Sequence, residues 1–382
     1  MTRSYHHLGI YSDLVDEAHR QQPVFPLAPP GEETQQRVRQ VLGWCDRPET
    51  ALDVHLEHTW LLGDPPGELT LEELSWSVGY GPRTHAWFFK PPGAAGPLPA
   101  VLALHDHSGF KFYGKEKIAD GSAPPEDWLV NFRRPYYGGA WVNALAKEGF
   151  AVLVHDVFLW GSRKFPLEVM QSMITSHQPE ADRVRARQAS GFPDEVIEYD
   201  YLASHHEHWV SKYCNVLGTS LPGVVCHEDR IALNYLASRP DVDPNRLGCL
   251  GLSGGGNRAG LLRATASNLK AAGIAGLMTT YAELLDHNMS HTWMLFPFGW
   301  SRYGDWPDLV ACQAPAPLLV QYALDDTLFT VAGMQAAHAR LAAHYKSTGH
   351  PEAYTGQFYP GPHRFDLEMQ AAAFAWLKAA LA

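Results

Sequence analysis

Short apolar runs alternate with longer amphipathic stretches over most of the chain. The apolar runs predict strands at about 71–80, 84–90, 98–104, 150–156, 246–250, 316–322 and from 357 onward. Helical spacing of apolar residues predicts helices at about 139–148, 224–238, 257–264, 331–345 and 367–381. Because strands and helices alternate after residue 98, the pattern predicts an α/β fold with a mostly parallel, doubly wound sheet and helices on both faces.

Two parts of the chain depart from this rhythm. Residues 1–60 are polar, with a weak helical stripe at 31–42, and we expect an N-terminal helical extension there. Such an arm is a candidate contact for a homodimer. Residues 164–213, after the fourth predicted strand, are rich in His, Glu, Arg and Tyr and predict a lid-like insertion within the main domain, 61–382.

The pentapeptide 251–255 has the pattern Gly-x-Ser-x-Gly between a predicted strand and a predicted helix. This arrangement is typical of a nucleophile elbow, a turn so tight that the residues flanking the serine need minimal side chains. The turn would expose the hydroxyl of Ser253 as a nucleophile and aim the backbone N–H of Gly254 at the same space. The alternative is a glycine-rich turn whose serine only caps the helix.

A serine nucleophile needs a base and an acid that orients the base, and in this architecture they follow the serine in the order acid, then histidine. Asp325 and Asp326 come just after the strand at 316–322, and we favour Asp326 as the acid, with Asp325 as a helix cap. His363 lies on a Pro/Gly loop before the last helix, where it could reach over the sheet. The alternative for this residue is an isolated surface histidine.

The loop that follows the strand at 98–104 is the expected source of the second oxyanion donor. It begins with His105, and the backbone N–H of His107 is the candidate donor, although Asp106 occupies a place where glycine is usual. His105 and His107 could instead bind a metal, but no second matched pair accompanies them. The segment 199–208, rich in histidine, is expected to be a polar helical face of the lid, since no carboxylate at ligand spacing completes a metal site there, and we expect neither metal nor cofactor.

Four side chains are candidates for substrate binding. Trp293 and Trp300 belong to an aromatic-rich segment, which suits sugar rings or aryl groups but is equally typical of a core patch. Trp160 and Arg163 follow the fourth predicted strand. Arg163 would either bind a carboxylate or close the glycine turn at that point.

Composition excludes several other functions. The 382 residues are 46% hydrophobic and 19% charged, ordinary for a globular protein, and the net charge is −11. With this charge, and no basic run beyond a sparse knot at 111–117, we expect neither nucleic-acid nor membrane binding. The five cysteines have no metal-type spacing, and no apolar signal or membrane-spanning stretch occurs, so a cytoplasmic location is expected.

With these motifs the chain resembles the α/β-hydrolase superfamily, and more narrowly the dienelactone-hydrolase-like and acetyl-xylan-esterase-like bacterial serine hydrolases. The resemblance covers about residues 70–382 and rests on the segments 105–111, 239–246, 251–255, 291–293, 305–308, 325–329 and 363–366. It implies the α/β-hydrolase fold and a serine carboxylic-ester hydrolase for a small ester, possible examples being acetylated or methyl-esterified carbohydrates. True dienelactone hydrolases would have cysteine at Ser253. The alternatives are a peptidase, an amide or C–C bond hydrolase with the same triad, and a non-catalytic binding protein.

Overall fold

A computed structural model describes residues 4–44, 46–63, 68–94, 96–171, 185 and 187–382. The strands are β1 Leu52–Leu62, β2 Leu69–Ser77, β3 Thr84–Lys90, β4 Leu98–Leu104, β5 Ala151–His155, β6 Val242–Leu252, β7 Ala271–Ala275, β8 Leu318–Ala323 and β9 Tyr354–Tyr359. The helices are α1 Asp13–Gln21, α2 Glu32–Leu42, α3 Asp127–Tyr137, α4 Trp141–Lys147, α5 Leu167–Gln171, α6 Asp194–Val216, α7 Leu221–Ser238, α8 Gly254–Thr265, α9 Tyr281–His287, α10 Trp306–Ala311, α11 Val331–Ser347 and α12 Leu367–Ala380.

The described strands form one sheet in the order β1-β2-β3-β5-β4-β6-β7-β8-β9. β1, β2, β3 and β5 pair antiparallel in turn, whereas β5, β4, β6, β7, β8 and β9 are parallel neighbours. The chain leaves β4 toward β5 on one side and later returns to β6 on the other. The carboxyl ends of β4 and β6 therefore lie side by side at a topological switch point, where ligands bind in open α/β sheets.

The central strands are apolar on both faces because helices cover both sides of the sheet. Val101 and Val152 belong to the core on one face, with Trp141 of α4 and Phe374 of α12. The alternate strand residue Leu102 belongs to the opposite core, formed mainly with α7, α8, α10 and α11. The α/β fold class and the helices on both faces are as the sequence predicts.

The N-terminal region differs from the prediction of a largely helical extension over residues 1–60. α1 and α2 are present, but β1 spans Leu52–Leu62 and pairs with β2, so the sheet begins before the expected boundary. Leu52, Val54 and Leu56 alternate with polar residues, which is the period of a strand. The prediction missed this alternation.

The predicted lid-like insertion at 164–213 contains α5 and most of α6, and its residues 172–184 and 186 lie outside the described residues. α6 buries polar as well as apolar side chains, among them Asp200 and Glu207. The sequence predicts instead a polar helical face here. No helix in the described ranges is long and apolar enough to span a bilayer.

Candidate active site

Ser253 occupies a strained turn between β6 and α8. Its backbone has φ +55° and ψ −121°, a conformation rare for a residue with a side chain, and its N–H donates to the Ala275 carbonyl at 2.9 Å. A Cβ on Gly255 would lie 2.1 Å from the Leu104 carbonyl oxygen. Glycine is therefore required there, because the start of α8 passes against the end of β4. The turn has the geometry expected of a nucleophile elbow.

The buried Asp326 and the partly buried His363 form a pair at the carboxyl ends of β8 and β9. The Asp326 Oδ2 atom is 2.6 Å from His363 Nδ1, and its Oδ1 atom accepts the Leu328 N–H at 2.8 Å. Asp325 instead accepts the Gly361 N–H at 2.7 Å and so holds the loop that carries the histidine. Of the two acids considered from the sequence, Asp326 is the one that contacts the imidazole.

Ser253 and His363 line the same cavity. Gly276 allows this approach, because a Cβ there would lie 3.1 Å from the imidazole Cε1 atom, and the preceding Ala275 carbonyl holds the serine N–H. Among the described contacts no hydrogen bond joins the serine hydroxyl to the imidazole. Catalytic hydrogen bonds are often long in unliganded sites and tighten when substrate binds.

The backbone of His107 comes directly against Gly254. A Cβ on Gly254 would lie 2.4 Å from the His107 amide nitrogen, so this approach also requires glycine. Neither amide donates a hydrogen bond to another group within the described part of the chain. Two unsatisfied N–H groups beside a serine that lines the cavity are the elements of an oxyanion hole.

Asp106, found where glycine is usual, anchors this loop from below. Its carboxylate accepts hydrogen bonds from Tyr137 and Ser108 and lies 3.4 Å from the Lys117 ammonium. Burial acts to raise the pKa of Asp106, but the Lys117 ammonium and these hydrogen bonds hold it below its usual range. These contacts of the Asp106 carboxylate hold the loop in one conformation, at a position where glycine is usual.

Glu207 on α6 connects the oxyanion loop to the opposite wall of the cavity. Its Oε2 atom lies 2.8 Å from His107 Nε2 and 2.6 Å from Lys111 Nζ. Its Oε1 atom accepts from the Thr292 hydroxyl at 2.6 Å and from the Trp293 N–H at 3.1 Å. Burial acts to raise the pKa of Glu207, but the Lys111 ammonium and the His107 imidazole hold it well below its usual range.

These contacts fix the tautomer of His107. Its Nδ1 atom accepts the Gly109 N–H at 3.0 Å, so the proton lies on Nε2 and is donated to Glu207. Burial lowers the pKa of His107, although Glu207 opposes the shift, which keeps the imidazole neutral at neutral pH. The sequence prediction missed Glu207, since a lone glutamate on a polar helix carries no signal of the loop it meets.

The cavity in front of Ser253 has a volume of about 550 Å³. Its polar lining consists of the side chains or backbone of His107, Ser108, Gly109, Tyr136, Ser204, His205, Glu207, His208, Ser253, Asn288, Ser290, His291, Thr292 and His363, with Trp293 and Leu328 beside them. No lysine or arginine is among the described residues that line it. The lining offers many donors and acceptors but no lysine or arginine among the described residues, so it suits a neutral, hydrogen-bonding ligand.

Only one of the four predicted substrate-binding side chains, Trp293, lines this cavity. Arg163 is buried, with Nη2 2.5 Å from Glu228 Oε1, and it also donates to the Tyr80 carbonyl, so it holds an internal ion pair. Trp160 is buried behind the cavity wall with its ring 5.1 Å from that of His107. The remaining side chain is in the core.

That side chain is Trp300, which is fully buried and donates its indole N–H to the Asp305 carbonyl at 2.9 Å. Trp160, Arg163 and Trp300 therefore do not line this cavity, because the fold uses each of them in internal contacts, and an internal role was the alternative that the sequence left open. Within the described ranges, no three His, Cys, Asp or Glu side chains are grouped so that they could hold a metal ion.

Comparison with known proteins gives similar folds at low sequence identity. No protein-family model matches the chain. A curated protein of Bacillus subtilis (strain 168), "Putative hydrolase YtaP", is 23% identical over 274 residues, which cover 71% of this chain and 75% of that protein.

Three solved structures are similar over nearly the whole chain. A "putative acetyl xylan esterase" from Bacteroides fragilis has a TM-score of 0.65 at 17% identity, covering 92% of this chain and 82% of the other. A glucuronoyl esterase from Solibacter usitatus has a TM-score of 0.59 at 15% identity, with coverages of 96% and 91%. The methylesterase BT1017 has a TM-score of 0.57 at 18% identity. The similar region includes 91% of this chain but only 64% of that protein. The chain has the α/β-hydrolase fold of these esterases.

Proposed function

We propose that the protein is a serine carboxylic-ester hydrolase acting on a neutral, hydroxyl-rich ester such as an acetylated or methyl-esterified carbohydrate. The observation that carries the proposal is the meeting of three elements at one cavity. These are the strained Ser253 turn, the 2.6 Å pair of His363 with Asp326, and the unsatisfied amides of His107 and Gly254. Each element suits one role in acyl transfer.

In the first half of the reaction, Ser253 Oγ attacks the ester carbonyl carbon while His363 Nε2 takes the hydroxyl proton. Asp326 holds Nδ1–H, which fixes the tautomer that can accept at Nε2 and stabilises the imidazolium. The carbonyl oxygen becomes an oxyanion and accepts hydrogen bonds from the backbone N–H groups of His107 and Gly254. When the C–O bond breaks, His363 gives its proton to the leaving alcohol, and the acyl group stays on the serine.

In the second half, water enters the place of the alcohol. His363 takes one proton from the water as its oxygen attacks the acyl carbon, and the same two amides receive the second oxyanion. Collapse of this intermediate breaks the bond to Ser253 Oγ, which recovers the proton from His363. The products are the free acid and the unchanged enzyme.

The composition of the cavity supports the substrate class. Its hydroxyl, amide and imidazole groups suit sugar hydroxyls, and the absence of lysine and arginine from its described lining disfavours an anionic substrate. The names of the similar structures point the same way, since they are esterases of acetyl xylan and glucuronoyl groups and a methylesterase. Acetyl and methyl esters of sugars are neutral at the reacting group.

The proposal is tested by assaying p-nitrophenyl acetate, a partially acetylated pyranoside, a methyl uronate and a peptide anilide side by side. We expect hydrolysis of at least one sugar ester and of the aryl acetate, and no release from the anilide. Ser253→Ala should abolish turnover, whereas Ser238→Ala, at an exposed serine, should leave it unchanged. Anilide cleavage comparable to ester cleavage, or turnover by Ser253→Ala, would refute the proposal, and inhibition by a chelator would revive a metal mechanism.

A further inference from the structure

The segment from residue 288 to 293 separates two cavities. Asn288, Ser290, His291 and Thr292 line the polar cavity of Ser253, and Trp293 lines both. Met289 faces a second, largely apolar cavity of about 290 Å³ on the other side. The polar side chains of this segment therefore lie on the wall that faces the candidate nucleophile.

Most of the polar groups on this wall already have partners. The Thr292 hydroxyl donates to Glu207, the Asn288 amide donates to the Leu328 carbonyl at 3.2 Å, and the Ser290 hydroxyl donates to Asn288. These bonds hold the segment in one conformation. A ligand would have to compete with them, so these three side chains are poor candidates for new hydrogen bonds.

His291 is different. Its imidazole packs on Phe329, with ring centroids 5.5 Å apart and an interplanar angle of 34°. Its Nδ1 atom is enclosed and has no hydrogen-bond partner among the described residues. Because an enclosed atom cannot contact a ligand, the nitrogen of His291 that remains for the cavity is Nε2, which also has no hydrogen bond among the described residues.

The state of this imidazole defines the ligand it suits. Burial lowers the pKa of His291 to about 4, and the neighbouring His107 and His363 act in the same direction. The carboxylates that face the ring, those of Glu207 and Asp326, act to raise its pKa, but their effect is smaller. The ring is therefore neutral at neutral pH, and a neutral imidazole offers one donor and one acceptor, as a hydroxyl does.

We propose that His291 binds a hydroxyl group on the alcohol side of the substrate, next to the scissile ester, and so selects polyhydroxylated alcohols over simple ones. This inference rests on the proposed ester hydrolysis and names the part of the substrate that the site recognises. His291 is then a specificity residue, which contacts substrate without taking part in the transfer of the acyl group.

The test compares two acetate esters that form the same acetyl-enzyme. One is p-nitrophenyl acetate, whose alcohol has no other hydroxyl, and the other is a monoacetylated pyranoside with free hydroxyls. The variant His291→Phe keeps an aromatic ring to pack on Phe329 but removes both nitrogens. We expect kcat/KM for the sugar acetate to fall about tenfold or more, mainly through KM, and kcat/KM for the aryl acetate to stay within about threefold.

His350→Phe, at an exposed histidine, is the matched control and should change neither substrate. If His291→Phe lowered kcat/KM equally for both esters, or lowered it for neither, the role of His291 would be refuted. Wild-type protein that hydrolyses the aryl acetate but not the sugar acetate would also refute it and leave ester hydrolysis standing. Failure of the proposed function is distinguishable, because the wild type would then hydrolyse neither ester or Ser253→Ala would hydrolyse both. Thermal melting checks that the variants are folded.

Discussion

Replacing Glu207 by glutamine should impair catalysis although this residue lies outside the triad. Each carboxylate oxygen accepts two donors, His107 and Lys111 at one and Thr292 and Trp293 at the other. An amide has one oxygen and one NH₂ group. Whichever way the glutamine side chain turns, its NH₂ group faces two donors, and the pair on that side loses its acceptor.

The structure indicates how much stability and how much activity this substitution should cost. Lys111 is 2% exposed, and without the carboxylate its ammonium keeps one hydrogen bond among the described residues, to the Ala203 carbonyl at 3.1 Å. Removing one member of a buried ion pair costs about 3–5 kcal/mol of stability. If the loop shifts so that the His107 amide no longer meets the oxyanion, loss of this donor lowers kcat by about 10²–10³-fold. KM should change little, because the amide acts mainly in the transition state.

The assay is steady-state hydrolysis of an acetate ester, paired with urea denaturation of the same preparations. Glu198→Gln, an exposed position on the same helix α6, is the matched control and should retain both activity and stability. The double variant Lys111→Met with Glu207→Gln should recover stability, because no unpaired charge remains, but not kcat, because the glutamine NH₂ group still faces a donor on one side of the cavity. A folded Glu207→Gln protein with kcat within threefold of wild type would refute the reasoning.

Three further predictions follow from the site geometry. Asp326→Asn should lower kcat by about 10³–10⁴-fold in the same assay, whereas Asp325→Asn should lower it less than about tenfold, and equal losses would contradict the assignment of the acid. Gly254→Ala should lower kcat at least about 100-fold, since the new Cβ would collide with His107 N, and a fully active variant would exclude that oxyanion hole. The pKa of His291 is about 4 in the folded state and about 6.5 when unfolded, so the unfolded state binds more protons and stability falls by about 3 kcal/mol as the pH drops from 6.5 to 4. His291→Phe should flatten this dependence in urea denaturation, and an unchanged slope would contradict it.

Local pattern was sufficient for β4, β5 and β6 and for naming the three residues that we propose as the triad, but it gave no prediction of β7. The apolar runs that became β4 to β6, and the glycines around Ser253, carry their signals within a few residues. The choice between Asp325 and Asp326 needed coordinates, because it depends on which carboxylate faces a loop 37 residues away. Local pattern cannot measure such a distance.

The predicted substrate-binding residues show the same limit. An arginine beside a glycine turn is equally suited to a substrate carboxylate and to a carboxylate of the protein. Arg163 meets Glu228, 65 residues further along the chain, and sequence spacing gave no sign of it. β1 was missed for another reason, since its alternation of apolar and polar residues covers only 52–57 and its residues are almost all exposed. An edge strand with little burial has little hydrophobic pattern to detect.

The small basic knot at 111–117 acquires a role that its composition could not show. Lys111, Lys115 and Lys117 are all buried, and each pairs with a carboxylate, those of Glu207, Asp156 and Asp106 respectively. These three carboxylates lie on a helix, just after the end of a strand and on the loop itself. Buried ion pairs contribute little net stability. Three of them around one loop are therefore better explained by a role in positioning the loop than by a gain in stability. A loop tied at three points keeps the His107 amide in place before substrate arrives, which is the preorganisation that stabilising an oxyanion requires.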